Sequence, residues 1–243
     1  MKTVRFNRLT TERRGFTLVE LLVTITIVTV LAGLVFIISR RAINAAHNAE
    51  CVANLRNLAT AGMSYEAEHG VYPNHGSQRD GSRSFWFKTL EVELGFEPGT
   101  NAAVIERADI MPTCKKCLRT HGPGTNPNNR HIRTYSMNHD LIGSTKNSDN
   151  EWVFPGLRST RVVNPSATAF FMDGSVAGTG PYWQYLARIH QWVKPENFIH
   201  DGKANVVFLD GHVESFRLEE VPTNREHPFW NPLQRDPDTP KHR

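Results

Sequence analysis

Phe16 opens an apolar run that reaches Ile38, and the one ionisable side chain inside it is Glu20. As a helix, a run of this length crosses a bilayer core of about 30 Å. Apolar on every side, it does not suit the surface of a globular domain, where a helix keeps one polar face. A carboxylate placed in hydrocarbon costs a few kcal/mol even on lenient insertion scales. Glu20 is therefore a functional candidate, and a positively charged partner has to be named for it.

The flanks orient the run. Lys2, Arg5, Arg8, Arg13 and Arg14 precede it with only Glu12 opposing them, and Arg40 and Arg41 follow. The positive excess predicts a cytoplasmic N-terminus with the bulk of the chain on the other side. An ordinary secretory signal peptide fits poorly, because the apolar region is too long and no small-x-small cleavage site follows Ile38. A plain signal anchor would need no glycine–phenylalanine junction. The segment Arg13-Arg14-Gly15-Phe16-Thr17-Leu18-Val19-Glu20 resembles the class III signal of type IV pilins and type II secretion pseudopilins. The resemblance implies that a prepilin peptidase cuts between Gly15 and Phe16 and methylates the new Phe16 amine. It also implies that Glu20 pairs with the N-terminal amine of a neighbouring subunit during assembly.

The helix is expected to continue past the membrane. No proline occurs from Arg40 to His69, and Ala45, Ala49, Val52, Leu55, Ala59, Gly62 and Met63 recur at spacings of three and four. His69-Gly70 supplies a stop, with Pro73 just beyond. A helix from Phe16 to His69 spans roughly 80 Å at about 1.5 Å per residue. The expected class is α+β and pilin-like: a long N-terminal transmembrane helix packed on a C-terminal antiparallel β-sheet head. The expected divisions are a leader at 1–15, a transmembrane half-helix at 16–38, an extracytoplasmic half-helix at 39–69, a head at 70–221 and a proline-rich, extended tail at 222–243.

The net charge is +4, and the leader carries most of the excess, so a chain lacking residues 1–15 is close to neutral. No basic stripe interleaved with aromatics argues for nucleic acid. Of the three cysteines, Cys114 and Cys117 form a Cys-x-x-Cys and Cys51 falls on the long helix. A disulfide across Cys114 and Cys117, a structural metal near His121, and reduced thiols all stay open, because a strong zinc signature needs a second ligand pair.

In the head, Ser84–Leu94 reads as a short helix. Thr134–Asn138, Ala167–Met172 and Asn205–Leu209 read as strands, and the last is apolar on both faces, so it belongs inside the sheet. Asp210-Gly211 before His212–Phe216 reads as a hairpin with a type I′ turn. His200 precedes Asp210-Gly211 with nine residues between them, a spacing that resembles the His-x9-Asp-Gly signature of a large subfamily of prepilin-like proteins. Cys51–Leu58, Tyr135-Ser136-Met137-Asn138 and Asn164–Asp173 resemble further blocks of that subfamily, with Ser136 where glycine is usual. A metal site at Asp173, His200, Asp201 and Asp210 is the candidate here. Carboxylates favour calcium and the histidine favours zinc.

The leading functional expectation is a structural subunit of a type IV pilus-like or type II secretion pseudopilus filament. Its partners would be prepilin peptidase, other subunits and the inner-membrane assembly machinery, and it would sit single-pass in the inner membrane with a periplasmic head. The alternative is a membrane-anchored binding or adhesion protein, motivated by Trp152, Trp183, Tyr185, Trp192 and Trp230. An enzyme is not expected, since no nucleophile elbow, zincin or P-loop motif is present.

Overall fold

An unbroken α-helix, α1, runs from Leu18 to His69. In the computed structural model, residues 16–73, 86–100, 135–143, 145–146, 148–150, 152–153, 155–173, 198–224 and 226–233 are described. Gly15, Cys114, Cys117, His121, Trp183, Tyr185 and Trp192 lie outside them. The chain divides between Ile43 and Asn44 into two compact units.

In the first unit every Leu, Ile, Val and Phe from Phe16 to Ile38 is exposed. The best 18-residue window of α1 has a mean hydropathy of 2.9, and none of it is buried among the described residues. The threonines complete the pattern. Hydroxyls of Thr24, Thr26 and Thr29 donate to the carbonyls of Leu21, Val23 and Thr26 at 2.8, 2.8 and 2.9 Å, and Ser39 donates to Val35 at 2.7 Å. Each hydroxyl is thereby satisfied by its own helix, as hydrocarbon requires.

The second unit places the rest of α1 against a four-stranded antiparallel sheet. Its strands are β1 (Tyr135–Met137), β4 (Ala169–Asp173), β5 (Lys203–Phe208) and β6 (Val213–Arg217), in the order β1-β4-β5-β6. The short strands β2 (Thr145–Lys146) and β3 (Trp152–Val153) pair separately. The protein is thus α+β with a pilin-like architecture. The buried face of α1 is Cys51, Leu55, Leu58, Ala59, Ala61 and Gly62. Ala45 and Ala49, expected on that stripe, are exposed. An apolar count misses the first turn of the true face, because it begins with Asn48, which bonds to the sheet.

Strand β5 is buried on both sides, as its composition predicts. Val207 joins Tyr135, Met137 and Phe171 in the cluster beneath α1. Ala204, Val206 and Phe208 face a second cluster with Met172, Val221, Phe229 and Trp230. That second cluster corrects the expectation of an extended tail from residue 222. The Phe229 carbonyl accepts from the Ala169 amide, the Pro232 carbonyl accepts from the Val163 amide, and Trp230 Nε1 donates to Pro222 O at 2.7 Å. The sheet needs a cover on the face away from α1, and residues 226–233 provide it.

The helix near Trp86 is shorter than expected: α2 covers Trp86–Thr89, and turns lead on to Gly95 at φ 85°. Trp86, Phe87 and Leu90 are nevertheless buried. The long helix ends as the sequence indicates. Gly70 takes φ 72°, and its amide donates to Glu66 O at 2.7 Å, a left-handed glycine cap.

At Gly62 α1 comes close to the sheet. A Cβ there would stand 2.3 Å from Phe170 Cζ, and that ring is fully buried beside Tyr72 and Phe171. Alanine gains about 1 kcal/mol of helix propensity, but overpacking a core that cannot yield costs about 1–3 kcal/mol. Gly62→Ala is expected to lower the melting temperature of the full chain by about 2–6 °C. Adding Phe170→Leu should recover part of that loss, and a melting temperature that rises in Gly62→Ala alone would contradict the packing.

Candidate functional site

The first candidate is the beginning of α1. Thr17 is its N-cap: Thr17 Oγ1 accepts from the Glu20 amide at 3.2 Å, and Glu20 Oε2 accepts from the Thr17 amide at 2.9 Å and from its hydroxyl at 2.8 Å. These reciprocal bonds are a capping box, in which residues three apart satisfy each other's orphan donors. The Thr-x-x-Glu spacing was legible in the sequence, and reading Glu20 only as an intermolecular partner passes over it. The carboxylate also lies in the first turn, where the positive end of the helix dipole favours it.

The second candidate lies in the head. His200 and Lys203 exchange backbone hydrogen bonds at 3.0 and 3.1 Å around Asp201 and Gly202, whose φ values are 54° and 79°. This is the two-residue turn with positive φ at both central positions, and it sits one hairpin earlier than expected. The turn at Asp210-Gly211 has a different form. Gly211 N–H donates to Phe208 O at 2.9 Å, Phe208 N–H donates to His212 O at 2.9 Å, and of Asp210 and Gly211 only Gly211 has positive φ, at 88°. That is a three-residue loop closed by a left-handed glycine. The type I′ expectation fails because Leu209 belongs to the loop: its side chain is buried, and its amide donates to Thr168 O at 3.0 Å.

The nine-residue spacing between His200 and Asp210 now has a geometric meaning. The two residues flank the two turns at opposite ends of β5, a six-residue strand of about 20 Å at about 3.3 Å per residue. They cannot share a ligand. Asp210 is at the exposed hairpin tip, where its Oδ1 lies 2.5 Å from His212 Nδ1 and accepts from the His212 amide at 3.1 Å. Partial burial pushes its carboxyl up, but these bonds and the His212 ring hold it below the ordinary carboxylate range. Asp201 is exposed in its turn. The expected four-residue metal set is therefore corrected: neither Asp201 nor Asp210 joins Asp173 and His200.

Asp173 and His200 are brought together by the sheet, with Asp173 Oδ2 3.3 Å from His200 Nε2 and both side chains buried. The residue that sequence reasoning missed is Cys51. Its thiol, a carboxylate oxygen of Asp173 and a ring nitrogen of His200 all lie within 4.8 Å of one another. A polar network continues from them. Asp173 Oδ2 accepts from the Asn205 amide at 2.7 Å, Asn205 Nδ2 donates to Asn48 Oδ1 at 2.8 Å, and Ser215 Oγ donates to Asn205 Oδ1 at 2.6 Å. Cys51 and Asn48 share a helix face one turn apart, which was readable. Their meeting with Asp173 depends on strand order and was not.

Other singled-out residues prove structural. Asn138 Nδ2 donates to the carbonyls of Ala169 and Trp230, each at 2.9 Å, and its Oδ1 accepts from the Asp140 amide at 3.0 Å. It ties the sheet to the 226–233 segment. Trp230 is buried, so one of the aromatics offered for a binding surface belongs to the core.

Compared with known proteins, residues 11–36 match the prokaryotic N-terminal methylation motif. No curated protein and no solved structure matches the chain. The motif and the apolar helix fit a membrane-anchored protein of prepilin type.

Asn205 is buried and holds Asn48 and Ser215 together, whereas Asn48 is half-buried. Asn205→Ala strands two polar partners and should cost about 1–3 kcal/mol. Asn48→Ala should cost less, since water reaches its position. Chemical denaturation of the full chain in detergent checks the order, and equal or reversed losses would contradict the network.

Proposed function

We propose that the chain is a structural, prepilin-like subunit of a type IV pilus-like or type II secretion pseudopilus filament. In this reading residues 1–15 are a leader that prepilin peptidase removes between Gly15 and Phe16, methylating the Phe16 amine. Residues 16–38 hold the protein in the inner membrane with the head on the periplasmic side, as the positive-inside rule suggests. Inner-membrane assembly machinery then transfers the helix from lipid into a bundle of neighbouring subunits. The role is physical and not catalytic.

The observation that carries this reading is the combination of the matched motif with an anchor helix whose apolar side chains are exposed. In lipid the helix has a compatible solvent. In a filament the same surface packs against other helices, and the acid at its start needs a counter-charge. An unpaired carboxylate buried in that bundle would be strongly penalised, so Glu20 selects the axial register in which a neighbour's Phe16 amine meets it. The capping box sets the starting point of that step. It holds the Glu20 carboxylate at the helix end, one turn from the amine that cleavage would create.

Two substitutions separate the local from the intermolecular role. Glu20→Gln keeps an acceptor able to close the capping box but removes the charge, whereas Glu20→Val removes both. Both variants should be cleaved as the natural chain is, and both should be depleted from sheared filament fractions, by tenfold or more. If Glu20→Gln enters filaments normally while Glu20→Val does not, the acid acts as a helix cap and the charge-pairing account fails.

A further inference from the structure

The geometry points to a zinc site formed by Cys51, Asp173 and His200, which clamps the helix to the sheet inside the head. The three ligands come from three separate elements: the middle of α1, the last residue of β4, and the residue before the turn that enters β5. Cys51 and Asp173 are fully buried and His200 is 6% exposed. Burying such groups together is costly unless charges are paired or a metal is coordinated.

The two groups stand close enough for an ion pair, and their separation also fits a metal site. A charge-assisted N–H···O bond between imidazolium and carboxylate is about 2.7–2.9 Å long. Two ligands about 2.0 Å from a tetrahedral zinc stand about 3.3 Å apart. His200 Nε2 and Asp173 Oδ2 are 3.3 Å apart. The sulphur of a zinc-bound cysteine stands about 3.5 Å from its nitrogen and oxygen co-ligands. Cys51 Sγ is already within 4.8 Å of both. Closing the two sulphur edges needs a shift of at most about 1.3 Å in each.

The chemistry of the donors selects the ion. Thiolate and imidazole suit zinc, and calcium takes oxygen ligands alone. Thiolate and carboxylate together neutralise a divalent charge, and the Cys51 proton passes to solvent as the Zn–S bond forms. The Asn205 amide, bonded to Asp173 Oδ2 at 2.7 Å, orients the carboxylate as outer-shell donors do at zinc sites. Three side chains leave the fourth tetrahedral position to a water molecule, and burial of all three ligands inside the head favours a structural over a catalytic role. It would also give the histidine of the nine-residue spacing a purpose separate from that of Asp210-Gly211, which turns the chain at the far end of the strand.

The test uses the full chain in detergent, stripped with chelator and titrated with cobalt(II) as a spectroscopic stand-in for zinc. One equivalent should bind, with the thiolate-to-cobalt charge-transfer band and the intense visible bands of a four-coordinate site, and zinc should displace it. Cys114→Ser/Cys117→Ser should retain the full signal. Cys51→Ser should lose the charge-transfer band, and His200→Ala should weaken binding at least tenfold. Absence of a thiolate band in the natural chain overturns the proposal whatever the variants do. So does a band that survives Cys51→Ser or vanishes in the Cys114→Ser/Cys117→Ser chain.

Discussion

One helix has to satisfy two different surroundings, and the rest of the molecule is arranged around that demand. Up to Ile38 its apolar side chains are exposed, and its hydroxyls turn back onto its own carbonyls. From Cys51 to Gly62 the same helix presents a narrow buried face to a sheet. No local break marks the change, because the backbone hydrogen bonds are those of a single element throughout. What changes is the pattern of side chains, from apolar on all sides to apolar on one.

The sheet can be small because both of its faces are covered by elements from distant parts of the sequence. The helix covers one face, and residues 226–233 the other. Asn138 and Asn205 fasten these layers with hydrogen bonds that a buried amide can make only when each partner is in place. Such polar contacts add directional specificity that apolar contact alone does not supply. The same logic places a histidine, a carboxylate and a thiol at the junction of helix and sheet, where ordinary packing would favour hydrocarbon.

Much of this was legible in the chain. The apolar run, the glycine stop at Gly70, strands β1, β4, β5 and β6, and the interior position of β5 all follow from periodicity and turn residues. Where local reading failed, a longer-range contact decided the outcome. Leu209 is held by Thr168, which moves the hairpin turn by one residue and leaves the two-residue form to Asp201-Gly202. Phe229 and Trp230 look like part of a proline-rich tail until the uncovered face of the sheet exists to receive them. Asp173, His200 and Cys51 are far apart in sequence, and only the strand order brings them together. Asp210 shared a motif with His200 in sequence, yet the strand between them keeps them at opposite ends.

The central claim is that the apolar segment beginning at Phe16 is a retained anchor whose leader has been removed. Mass spectrometry of the N-terminal peptide of the protein isolated from its own cells tests this most directly. The account predicts a chain that begins with N-methylated Phe16, and an unprocessed form in cells lacking the peptidase. A mature chain that keeps its first fifteen residues, or one cut beyond Ile38, would contradict it.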